Sequence, residues 1–207
     1  MQLLENRIFY LHARKTAGNS IQSILLPHSS DTMYLSGHQD GIDRFGIRGP
    51  ATSLKHATLD DYAKRLPQEW RNYRVALSVR HPFDRALSYY FSPHRWFRKN
   101  NHGGFDRVEP TWGLGQFEAC LVEMKRMVDF ILVDGTFHRP EFLLRYESLE
   151  QDFTNFVQSA GLRVDAKLPR RNTSADKIDA RKALLLDDSL RKLVEDHFKD
   201  DMNFFNY

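Results

Sequence analysis

The stretch IFYLHARKTAGNSIQSIL, Ile8 to Leu25, sets Lys15, Thr16, Gly18, Asn19 and Ser20 between an apolar run and a helix-periodic segment. These residue types at the mouth of a helix suit one chemistry, the holding of an oxyanion. A helix start presents N–H groups without intrahelical partners and carries partial positive charge. Lys15 adds a full charge, Gly18 lets the backbone approach closely, and Thr16, Asn19 and Ser20 can donate hydrogen bonds. Arg14 and Ala17 belong to the same loop. The plainer reading is a surface lysine beside an ordinary helix start, and the loop alone does not choose between the two. It is not the usual nucleotide-triphosphate loop, which needs a glycine well ahead of a Gly-Lys-Ser/Thr end. Here Lys15 comes before Gly18.

A second stretch, SVRHPFDRALSYY, brings Arg80 to a strand end and Ser88 into the helix that follows. A forked guanidinium and a hydroxyl make a good pair for a terminal phosphate. The structural alternative pairs an arginine with Asp84 and packs Ser88 against a neighbouring helix. Arg85 can take that structural part.

The elements that must position these residues follow from periodicity. Arg7 to Leu11 reads as a buried strand, and Gly18 to Leu26 as a helix stopped by Pro27. Residues 28–55 are Ser-, Gly- and Asp-rich and predict irregular structure. Thr58 to Asp61 predicts a capping box opening a short helix that ends at Pro67. Arg74 to Val79 is a second buried strand, and Pro82 suits the first turn of the next helix. Residues 92–113 form an aromatic, basic insertion, and Gln116 to Val128 is amphipathic. DFILV and EFLLRY are strand candidates. SLEQDFTNFVQSAG is a helix closed by Gly161. ARKALLLDD and SLRKLVEDHF are terminal helices. Strands alternate with helices, so the fold class is α/β, a parallel sheet with helices on both faces. Such sheets bind ligands at the carboxyl ends of their strands, which puts both stretches at one crevice.

Composition sets the outer limits. A length of 207 residues suits a single domain over 1–207. Hydrophobic residues at 41% and charged residues at 28% are ordinary for a globular protein. A formal charge of +3 fits an anionic ligand without demanding nucleic acid. The lone Cys120 rules out an internal disulfide and suggests a reducing, cytoplasmic setting. No leader segment or membrane-length apolar run is read, so no membrane partner is expected.

LHARKTAGNSI resembles the HIPKTAGTSI loop of sulfotransferases that use 3′-phosphoadenylyl sulfate (PAPS). VRHPFDRALSYY resembles their VRNPYDRLVSAY segment, and LLRYESLEQDF and DDMNFFNY resemble later landmarks in the same order. The resemblance implies a three-layer sandwich, a small central parallel sheet flanked by helices, with a P-loop-like sulfotransferase fold. It implies that Lys15, Thr16, Gly18, Asn19 and Ser20 hold the 5′-phosphosulfate, and Arg14 and Ala17 are counted with them as cofactor-binding candidates of the same loop. Arg80 and Ser88 would hold the 3′-phosphate, and Arg171 or its neighbour Arg170 would close over the nucleotide. The product would be adenosine 3′,5′-bisphosphate, with no metal. One departure is plain: Arg14 stands where the family usually has proline.

Sulfuryl transfer to a hydroxyl needs charge stabilisation at the leaving oxygen, which Lys15 suits, and a base. His56 in LKHATLDDYA is the candidate, since imidazole titrates near neutrality with a free pKa of about 6.5. The alternative for His56 is a helix-entry histidine bonded to backbone, and both readings stand here. His12 is read as bracing the loop, and Tyr146 with Glu147 as a supporting pair. His38, Asp40 and Asp43 match no compact metal-ligand pattern. The aromatic and basic run YYFSPHRWFRKN is read as lining for a small-molecule or carbohydrate acceptor. Competing classes are a nucleotide kinase-like phosphate-loop enzyme and a basic nucleic-acid-binding module. The glycine placement disfavours the first and the modest net charge the second. Acceptor identity and oligomeric state are not legible in the sequence.

Overall fold

The computed structural model describes residues 1–35, 45–52, 54–92, 95–169, 184 and 186–207. The expected roles of His38, Asp40, Asp43, Arg170 and Arg171, and most of the ARKALLLDD segment, lie outside those residues.

In chain order the strands are β1 (Gln2–Leu3), β2 (Ile8–His12), β3 (Thr32–Leu35), β4 (Phe45–Arg48), β5 (Arg74–Val79), β6 (Phe97–Lys99), β7 (Phe105–Arg107), β8 (Leu132–Val133), β9 (Thr136–Phe137) and β10 (Phe142–Arg145). The α-helices are α1 (Gly18–Leu25), α2 (Leu59–Arg65), α3 (Pro82–Tyr90), α4 (Leu114–Glu123), α5 (Leu149–Ser159), α6 (Asp188–His197) and α7 (Lys199–Phe205). They gather into two compact units.

The first unit, Met1–Tyr34, Phe45–Arg80 and the chain from Met127 through α5, is built on a sheet of order β1-β2-β5-β10. β2, β5 and β10 run parallel, and β1 is an antiparallel edge. Every residue of β2 is buried, as a strand covered on both faces must be. Successive side chains of β2 point to opposite faces. Ile8 and Tyr10 join Ile21 and Leu25 of α1 and Phe153 and Phe156 of α5 in one apolar cluster. Phe9 faces the other way and stacks on Tyr62 of α2 at 4.1 Å and on Tyr73 at 4.2 Å.

Local signals in this unit act as their chemistry requires. The Thr58 hydroxyl accepts the Asp61 N–H at 3.2 Å, and the Asp61 carboxylate accepts the Thr58 N–H at 2.8 Å, closing the capping box of α2. Gly161 turns left-handed at φ 68, and the N–H of Leu162 reaches the Val157 carbonyl at 2.9 Å, ending α5 in a Schellman turn. Asp134 and Gly135 form the left-handed two-residue turn between β8 and β9. That hairpin takes up the end of DFILV, whose start is a 3-10 turn over Val128–Phe130.

The second unit includes His81–Arg126 and the C-terminal helices. Phe83, Ala86, Leu87 and Tyr90 of α3, Phe117 and Leu121 of α4, and Leu190, Val194 and Phe198 form its core. Its aromatic, basic insertion carries the β6–β7 hairpin. The amphipathic run expected to reach Val128 leaves the helix at Glu123, because Met124 adopts extended backbone at ψ 112. Similarly, residues 28–55 hold the short strands β3 and β4 rather than loop alone.

Candidate active site

The loop after β2 and the end of β5 lie side by side in the first unit, because His12 pairs with Ser78 in the parallel register. Arg80 follows β5, and Tyr146 follows β10. Strand order alone therefore brings the Lys15 loop, Arg80 and Tyr146 to the carboxyl edge of one sheet, where parallel sheets bind ligands.

The loop has an unusual backbone. Lys15 and Ala17 are both left-handed, at φ 69 and 64, a region that side-chain-bearing residues avoid. Thr16 between them is wholly buried, Lys15 is half-buried and Arg14 is exposed. The Thr16 hydroxyl donates to the Ala13 carbonyl at 2.7 Å. Its single proton is thus committed inside the fold, and only its backbone is left to serve an anion. Ala17 caps α1, whose first turn carries Gly18, Asn19 and Ser20. The N–H groups of Ser20 and Ile21 both point back to the Ala17 carbonyl.

Gly18 has a second reason to lack a side chain. A Cβ there would lie 1.9 Å from Cδ2 of His12. The His12 ring fills that space and meets the Gln22 side chain through Nδ1 at 3.1 Å. Burial, helped by the nearby His56 and Lys55, holds His12 well below the usual imidazole range, so it stays neutral.

His56 rests against His12, with ring centroids 4.5 Å apart. Its Nδ1 is 2.9 Å from the His12 carbonyl oxygen. A carbonyl only accepts, so Nδ1 carries the proton and Nε2 is the basic nitrogen of the neutral ring. The backbone bond expected of a helix-entry histidine is there, and it sets the tautomer a base requires. Gln22, buried in α1, also donates toward the Lys55 carbonyl at 3.4 Å. It ties the end of β2 to the segment that bears His56.

Lys55 is a residue that sequence reasoning missed. Partial burial lowers its ammonium to about pKa 8. Its place beside His56 in LKHATL was the available signal, but the burial of its side chain is set by tertiary packing. Tyr146, expected as half of a supporting pair, touches Arg80. The Arg80 guanidinium lies over its ring at 3.8 Å, a cation–π contact that holds the side chain beside the carboxyl end of β10. Ser88 is buried on α3 in the second unit. Arg85, also on α3, is buried and pairs with Asp201.

The sulfotransferase family matches residues 4–207. The chain belongs to the sulfotransferase family. It is therefore a transferase of sulfuryl groups, built as a mixed α/β protein around a parallel-containing sheet. No curated protein and no solved structure matches it significantly. No helix among the described residues of this sulfotransferase is long and apolar enough to cross a membrane. The sheet edge carries an ammonium on the Lys15 loop, a guanidinium just after the next strand and the start of α1, groups whose charge and N–H donors suit an anion.

Proposed function

We propose that this sulfotransferase moves a sulfuryl group from PAPS to a hydroxyl acceptor, a carbohydrate or small metabolite, and releases adenosine 3′,5′-bisphosphate. The observation that carries the reading is the rise of the Lys15 loop and Arg80 from the carboxyl ends of the adjacent parallel strands β2 and β5. Within this reading residues 1–207 act as one functional domain in the cytoplasm, needing no metal, nucleic acid or membrane.

PAPS supplies a sulfuryl group joined to a phosphate that leaves. The loop from Arg14 to Ser20 binds the phosphosulfate end through its backbone and its side chains, Thr16 through its backbone alone. Lys15 contributes the full positive charge that the departing phosphate oxygen requires. Arg80, resting on the ring of Tyr146, binds the 3′-phosphate through its forked N–H groups. His56 takes the acceptor proton on Nε2, while its Nδ1–H stays on the His12 carbonyl. His12 remains neutral throughout, so no second imidazolium opposes the charge gained by His56.

Calorimetric titration with adenosine 3′,5′-bisphosphate in chelator tests the donor. The wild type binds, and Arg80→Ala weakens binding about tenfold or more, in line with losing a charged phosphate contact. Tyr146→Leu weakens it less. Preference for ATP with magnesium would instead mark a kinase-like enzyme.

A further inference from the structure

We propose that Ser78 is a positioning residue for the anion loop, acting through Thr16. Its consequence for donor binding rests on the function proposed above.

The direction of each proton fixes the roles. Thr16 gives its hydroxyl proton to the Ala13 carbonyl at 2.7 Å, since a carbonyl cannot donate. Thr16 Oγ1 and Ser78 Oγ are also 2.7 Å apart, so Ser78 is the donor in that bond. Ser78 Oγ then accepts the phenol of Tyr10 at 3.0 Å. The bonds run one way, from Tyr10 to Ser78 to Thr16 to Ala13, and each of the three hydroxyls gives its proton to the next oxygen. All three side chains are shut off from solvent. Burial pushes the Tyr10 phenol up despite its bond to Ser78, so Tyr10 remains a donor at any working pH.

The position of this chain of bonds gives it a role beyond strand packing. Thr16 sits between the left-handed Lys15 and Ala17, whose backbone needs an outside hold. Ser78 lies on β5 just ahead of Val79 and Arg80. The strand that ends in one anion-binding cation thus grips the loop that bears the other. Without the Ser78 hydroxyl, the Tyr10 O–H loses its acceptor and Thr16 Oγ1 its donor in a dry core, and the loop relaxes.

The test uses the full chain with Ser78→Ala, Ser78→Thr and Thr16→Val. Hydrogen exchange without ligand reads the loop directly. Amides of residues 13–20 should exchange about tenfold faster or more in Ser78→Ala, with β10 unchanged, and Ser78→Thr should restore protection. The Kd for adenosine 3′,5′-bisphosphate should rise about tenfold in Ser78→Ala. The donor KM should move more than kcat. Unchanged loop exchange, equal acceleration in every strand, or a fast loop with unchanged affinity each overturns the proposal. If the wild type fails to bind the bisphosphate, the donor reading falls, while loop exchange still decides whether Ser78 holds the loop. Should Ser78→Ala not fold, Thr16→Val tests the same bond from the loop side.

Discussion

Arg85 and Asp201 form an ion pair inside the second unit, 3.8 Å apart and with both side chains closed to solvent. Arg85 also donates to the Lys125 carbonyl at 2.7 Å. Two stretches that stand far apart in the sequence, FDRALSYY and DDMNFFNY, thereby meet at a buried charge pair.

Removing one partner strands the other charge in the core. Asp201→Ala should destabilise the protein by about 3–5 kcal/mol. A double variant, Arg85→Met with Asp201→Leu, should recover much of that loss. Urea unfolding of the three variants checks the order, and a loss below about 1 kcal/mol in Asp201→Ala would contradict a buried, mutually dependent pair.

Gly18 and His12 give a steric prediction. Gly18→Ala sets a methyl against the His12 ring at 1.9 Å, so the ring or the helix must shift. The expected cost is about 1–3 kcal/mol, as for overpacking elsewhere. His12→Ser in the same chain should relieve most of it. If both single and double variants unfold at the same urea concentration, close packing is not what the glycine serves.

Lys15 and His56 separate charge stabilisation from proton transfer. Lys15→Ala should lower transfer by about a hundredfold to a thousandfold with little change in Tm, since residue 15 is only half-buried. His56→Ala should lower kcat by about a hundredfold or more while donor affinity holds. Steady-state kinetics with calorimetry distinguishes the two, and intact turnover in His56→Ala would place the base elsewhere.

Lys55 predicts a pH dependence of stability. Its folded pKa of about 8 lies below the ordinary lysine value, so the unfolded chain binds more protons between about pH 8 and 10.5. Its contribution therefore makes the protein more stable as pH rises through that window. Lys55→Met should be the more stable form at pH 7 by about 1 kcal/mol, discounted for partial exposure, and the advantage should vanish by about pH 10.5. A constant advantage at both pH values would tie the gain to packing, not to charge.

Much of the plan was legible in the sequence because its signals are local. Apolar runs bounded by Pro27 and Pro82, the Thr58–Asp61 capping box and the Gly161 stop depend on residues within one or two turns. The alternation of strand and helix that yields the parallel strands β2, β5 and β10 was legible in the same way. The helix expected through Val128 failed for the same reason that others succeeded. Periodicity marks which residues are buried, and Met124, Met127 and Val128 are buried, but it cannot say that the backbone has already turned.

Sequence by itself determined the residue types at the site, the sulfotransferase family resemblance, and the two cations placed at strand ends. Only the tertiary structure decided where protons point and which side chains meet. Thr16 gives its hydroxyl to the fold, His56 takes its tautomer from the His12 carbonyl, and Arg80 rests on the ring of Tyr146. Each of those choices depends on a partner brought near by strand pairing or loop closure, and such partners leave no mark in the spacing of neighbouring residues.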